Sequence, residues 1–193
     1  MRPHGTASNR GRGHMGQDTA TAAAKALRLL DSPELRHHPA NGPQERRNPS
    51  TTAGAPLNIG LVDYLAEKAG EVIALTREIA PDAGPMPATR ADLYEWSINA
   101  TGDADQAQQA HREHLFEKQR LEHAVRLGET DEVCKQPCPG CGYWGLMWDS
   151  AARRARCTNR RCTTPEGLST SWTLARLAAQ KIERTEIWRR NAT

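Results

Sequence analysis

The sequence predicts a mainly α chain with a small β unit near its C-terminus: a helical hairpin or bundle, then a short hairpin of strands, then a terminal helix. Three observations carry this expectation. Apolar residues recur at three- and four-residue spacing through much of residues 58–127. All five cysteines fall between positions 134 and 162, and the first 133 residues contain none. Charge divides the chain in the same way. Residues 1–60 carry +4, residues 61–131 carry −7 and residues 132–193 carry +6, within a net charge of only +3. Such asymmetry suggests modules with different partners.

Composition narrows the class. Of 193 residues only 37% are hydrophobic, and the mean hydropathy is −0.74, so one large core across the whole chain is not expected. No stretch approaches the roughly 18 consecutive apolar residues of a membrane span. No apolar signal region follows the start. A cytoplasmic protein without a membrane partner is the expectation. Arginine outnumbers lysine 21 to 5. A skew of that size resembles coding bias, so each arginine needs its own argument.

The elements follow in order. Residues 1–57 read as an arm, a short helix and a linker. Residues 1–17 are Gly-, Arg- and His-rich with little to bury, hence disordered. Asp18 caps an Ala-rich helix to Leu30, which Pro33 stops. Residues 39–56 have linker composition.

Residues 58–130 read as an acidic helical module. Asn58 caps a helix in which Leu61, Leu65, Ala69, Val72, Leu75 and Ile79 form a stripe, and Pro81 ends it. Thr89 and Asp92 resemble a capping box for a helix to Ala100 with Leu93 and Trp96 inward. A long helix then runs from about Ala104 to Leu127, stopped by Gly128. Its apolar side is Ala107, Ala110, Leu115, Leu121, Ala124 and Val125. Glu113, Glu117, Arg120 and Glu122 are expected to keep its other side wet. The stripes are thin, so this module is expected to bind a protein partner or form a homodimer. The His111, Glu113 and His114 trio lacks the order and spacing of a zinc protease helix.

Residues 134–190 hold the chemistry. Cys138-Pro-Gly-Cys141 is followed after 15 residues by Cys157-Thr-Asn-Arg-Arg-Cys162. Two close cysteine pairs at this separation match a structural Zn²⁺ site, one ion per chain, because each short turn aims two thiolates at one point. Backbone N–H groups in those turns can then donate to the sulfurs. The intervening segment reads as two strands with a turn near Asp149 and Ser150. Cys134 is a spare thiol. With Cys138 and Cys141 it also spells C-x3-C-x2-C, an iron–sulfur spacing, but that would leave Cys157 and Cys162 unexplained. A redox Cys-x-x-Cys would need a βαβ context that is absent. Ser169, Thr170 and Ser171 are placed to cap a terminal helix carrying Leu174, Leu177, Ala178 and Ile182.

These cysteine pairs resemble zinc ribbons. Cys-Thr-Asn-Arg-Arg-Cys is similar to the C-x-N-x-x-C knuckle of Ogr/Delta-type phage activators and of topoisomerase ribbons, although the gap between the pairs is shorter than in Ogr/Delta. The layout also resembles small helical-plus-ribbon proteins of actinobacteria and their phages. The resemblance covers residues 134–180 and implies a nucleic-acid or transcription-associated, regulatory module.

Arg154, Arg156, Arg160, Arg161 and Tyr143 are the candidate nucleic-acid contacts, with DNA favoured over RNA. Strand alternation puts Arg153 on the other side, and Trp144, Leu146 and Trp148 on one face, against the terminal helix. Residues 138–162 carry +4, which a Zn²⁺ with four thiolates reduces by two. A protein-interaction adaptor is therefore the alternative to nucleic-acid binding. No paired acids, nucleophile–base set or phosphate loop stands out, and four cysteine ligands leave no open metal position. A non-enzymatic protein is expected.

Overall fold

The computed structural model describes residues 14–37 and 57–191. Most of the expected N-terminal arm and the linker at 39–56 lie outside them. The described elements are α1 (His14–Leu30), α2 (Pro33–Arg36), α3 (Ile59–Ile79), a 3-10 turn at Arg90–Asp92, α4 (Leu93–Ala100), α5 (Gln106–Arg126), α6 (Asp131–Cys134), β1 (Leu146–Asp149), β2 (Arg154–Cys157), β3 (Ser171–Trp172) and α7 (Leu174–Asn191). The chain is mainly α with one small antiparallel sheet, β1-β2-β3, late in the sequence and a terminal helix after it. No described helix is long and apolar enough to cross a membrane.

Local chemistry explains most boundaries. The Asn58 side chain accepts a hydrogen bond from Leu61 N at 3.1 Å and starts α3. Asp105 and Gln108 form a reciprocal capping box that starts α5. Gly128, at φ +84°, takes the left-handed conformation just past its end. Pro33 opens α2 rather than merely stopping α1, since its missing N–H costs nothing in a first turn. Thr89 does not cap: its hydroxyl donates to the Asp92 carboxylate and not to the backbone. The α1 helix starts at His14, ahead of Asp18, so Asp18 caps nothing.

A first core joins α1, α3, α4 and α5. Ala20, Ala23, Leu27 and Leu30 of α1 meet Leu61, Leu65 and Val72 of α3, Leu93 and Tyr94 of α4, and Phe116 of α5. The N-terminal helix is thus part of the helical body, not an appendage before it. Its small residues let it lie close against α5. A second core gathers Leu121 of α5, Val133, Cys138, Leu146, Ala155, Cys157 and Leu177 of α7, with Val125, Trp148 and Trp172 packed against it. The α5 helix therefore serves both cores, and the segments read from charge are not separate packing units.

That double duty corrects the expected wet face of α5. Glu117 is fully buried, receiving Arg120 and, at 2.7 Å, Lys181 of α7. Glu113 and Arg112 are buried too, while Ala107 is exposed. His114 sits 3.0 Å from the Ala175 carbonyl on α7, and His111 is exposed, so the histidines do not converge. Helices pack on both sides of α5, so long polar side chains find partners instead of water.

The first core also holds a polar chain. Tyr64 Oη lies 2.7 Å from His123 Nδ1, and Tyr94 Oη lies 2.8 Å from His123 Nε2. Tyr94 donates to Gln119 Oε1 at 2.6 Å, which makes it the acceptor from His123 Nε2–H and leaves Nδ1 to accept from Tyr64. Gln119 Nε2 closes the chain on the Lys68 carbonyl at 3.0 Å. Burial, then the nearby Lys68 charge, hold His123 down at about 4, so it is neutral near pH 7. Burial lowers the Lys68 ammonium, but hydrogen bonds from it to Glu71 and Glu67, and the charge of Glu122, more than offset this and leave it raised.

Candidate metal centre

The cysteine pairs meet at one point because two tight turns face each other across β1 and β2. In the first, Gly142 N donates to Cys138 O at 2.8 Å and Cys138 N to Tyr143 O at 2.9 Å. Gly142 sits at φ +71°, a conformation that costs glycine little. At Gly145 a Cβ would lie 2.4 Å from the Tyr143 ring and 2.6 Å from Thr158 Oγ1, so a larger residue would have to displace both side chains. In the second turn Cys162 N donates to Asn159 O at 2.9 Å. Between them the hairpin pairs Leu146 with Cys157, Met147 with Arg156, Trp148 with Ala155 and Asp149 with Arg154. Asp149 Oδ1 accepts from Ala152 N at 3.0 Å and closes the expected turn.

The sulfurs of Cys138, Cys141, Cys157 and Cys162 all lie within 4.8 Å of one another. Cys138 and Cys162 sulfurs are 3.8 Å apart, and those of Cys141 and Cys157 are 3.7 Å apart. A tetrahedral ion with metal–sulfur bonds of about 2.3 Å needs sulfur–sulfur edges of about 3.8 Å. The spacing fits a metal ion and is far beyond a disulfide bond of about 2 Å. Cys134, at the end of α6, is not in the cluster, so the C-x3-C-x2-C spacing does not assemble.

The surroundings suit thiolates. The Tyr143 N–H donates to the Cys141 sulfur and holds that thiol well below its ordinary range. Asn159 reaches the same sulfur with Nδ2 at 3.7 Å, while its Oδ1 accepts from Arg161 N at 3.0 Å. That double role explains the asparagine inside the second knuckle. Burial pushes the Cys157 thiol up, against a backbone hydrogen bond from Asn159 that lowers it. Trp172 covers the site from β3; a Cβ at Gly140 would lie 3.0 Å from its ring. Cys138 and Cys157 are buried and Cys141 is exposed, so one edge faces solvent.

The predicted contact residues take different positions. Arg154 and Arg156 are exposed on the outer face of β2, and Arg160 and Arg161 are exposed in the second knuckle beyond it. Arg156 pairs with Asp149 at 3.2 Å; Arg154, Arg160 and Arg161 form no ion pair among the described residues. Tyr143 is exposed beside the first knuckle. Arg153 sits in the turn at φ +52° and, with Trp148, lines a cleft of about 630 Å³ against Tyr64, Lys118 and Arg126 of the helical body.

Two expectations about the surrounding strands need correction. Trp144 does not join Leu146 and Trp148 on a buried face; the strand begins only at Leu146, and Trp144 is exposed. Ser171 is not part of a helix cap. Ser171 and Trp172 pair with Arg156 and Ala155 as a third strand, and Thr173 Oγ1 caps α7 by accepting from Arg176 N at 3.2 Å. The expected contact of α7 with the ribbon is present through Leu177 and Leu174, shared with α5.

No family model matches the chain, and neither a curated protein nor a solved structure does so.

Proposed function

We propose that this is a non-enzymatic zinc-ribbon protein that binds nucleic acid, DNA in preference to RNA, in a regulatory role in the cytoplasm. Zn²⁺ is the ion that best suits four thiolates at tetrahedral spacing, and with no open position it is structural. A reducing compartment keeps the cysteines available to it. The observation that carries the nucleic-acid reading is the set of exposed guanidiniums along β2 and the second knuckle, of which Arg154, Arg160 and Arg161 form no ion pair among the described residues. Such groups contact phosphates by releasing counterions.

The test is a salt-titrated binding assay of the metal-loaded chain with duplex DNA and with RNA. Affinity is expected to fall steeply with salt. Replacing Arg154, Arg160 and Arg161 by Ala is expected to flatten the log–log salt slope by about 3. Absence of binding at low salt removes the reading. One observation favours the alternative, a protein-interaction adaptor. Leu35, Leu57 and Ile59 are exposed apolar side chains near the junction of α2 and α3, a feature suited to a protein partner or a second copy. Sedimentation before and after changing Ile59 to Ser distinguishes self-association from that partner.

A further inference from the structure

We infer that the ribbon end of the molecule holds single-stranded rather than duplex nucleic acid, with unpaired bases stacking on Trp144 and Trp188. This rests on the nucleic-acid reading above and adds to it the form of the strand. Trp188 is 73% exposed and Trp144 62% exposed, against the burial usual for so large a ring. One side chain, Arg184, touches the first ring and shares a helix face with the second. The Arg184 guanidinium carbon stands 5.5 Å from the Trp144 ring centre, and Trp188 follows Arg184 by one helical turn of α7, on the same face. Ring, guanidinium and ring thus run from the first knuckle along the terminal helix. Tyr143, the neighbour of Trp144 in the chain, is also exposed.

Every base has a π-face that stacks on an indole or a guanidinium whatever its identity. In a duplex those faces are already stacked, and only base edges are offered in the grooves. Exposed rings therefore gain most from unpaired bases. The charge selects the occupant. Arg154, Arg160, Arg161 and Arg184 form no ion pair among the described residues, so a phosphate chain displaces no carboxylate. A second copy presenting the same face meets repulsion instead, because residues 132–193 carry a formal +6 in each chain, about +4 once four thiolates and a divalent ion are counted.

The experiment uses the metal-loaded full chain at low salt, with an oligothymidylate of about 12 nucleotides and a DNA hairpin duplex of equal phosphate number as probes. Anisotropy and indole emission are read together. The single strand is expected to bind about tenfold tighter than the duplex and to quench emission. Trp144→Ala and Trp188→Ala are each expected to weaken the single strand about tenfold, leaving duplex affinity and metal content unchanged. Equal affinity for both probes in the unaltered chain overturns the stacking inference while leaving nucleic-acid binding in place. Binding of neither probe overturns both. A dimer that Trp188→Ala converts to monomer assigns the face to a second copy and also overturns the inference.

Discussion

The two cores of this molecule are held by different physics. The helical body buries leucines, alanines, Phe116 and Tyr94, and it fills its remaining space with a hydrogen-bonded chain from Tyr64 through His123 to Gln119. The ribbon core buries few residues, two of which, Cys138 and Cys157, are members of the sulfur cluster. Three short strands cannot exclude enough apolar surface to hold a single conformation unaided. The helical body can be cross-linked by its own side chains, whereas the ribbon brings together four thiols that could be cross-linked by a metal ion. The difference teaches that one chain can carry two stability laws, joined at α5.

The comparison breaks first on metal. If the four cysteines hold zinc as proposed, its binding, on the order of 10 kcal/mol in small zinc domains, is expected to be the largest single contribution to the ribbon. Chelation, or Cys157→Ser, is expected to abolish protection of β1–β3 amides in hydrogen exchange while α3 and α4 stay protected. Loss of all protection in one step would show that α5 makes the two cores a single cooperative unit. Acid gives a smaller effect, and on the other core. His123 titrates at about 4 when folded, below its ordinary 6.5. The unfolded chain therefore binds the extra proton between these values. The stability is fully present above pH 6.5 and is lost as pH falls to 4, by about 3 kcal/mol. Urea midpoints of the helical body across that window should follow this loss, and His123→Gln should flatten it. Smallest is the cap of α7. Thr173→Ala should cost about 1 kcal/mol, read as a lower melting temperature with the metal content intact.

Much of this was legible in the sequence, for identifiable reasons. Short turns force Cys138 and Cys141 together whatever surrounds them, and the same holds for Cys157 and Cys162. The stripe from Leu61 to Leu75 and the Asn58 cap are local, and they appear as expected. Glu117 and His123 were not legible. A helix rich in Glu, Gln, His and Arg reads as wet, and its burial depends on Lys181, Tyr64 and Tyr94, which lie far away in the chain. Ser171 and Trp172 failed similarly. A Ser-Thr-Ser run favours a cap locally, but the free edge of β2 recruits it as a strand. The asparagine of the second knuckle was visible as a motif, yet its bond to the Cys141 sulfur needed the fold.

The position of α5 between the cores also sets an order of events. During synthesis α1, α3, α4 and α5 emerge first and can close the helical body, but the side of α5 that carries Leu121 stays bare until Leu177 has been made and the cysteines have assembled. Until then the chain displays a hydrophobic surface of the kind that chaperones and proteases recognise. If the cysteine cluster assembles around an ion, scarcity of that ion would prolong the display. With a metal at the four cysteines, the shared helix would tie how long a newly made chain survives to how much of that ion the cell has to spare.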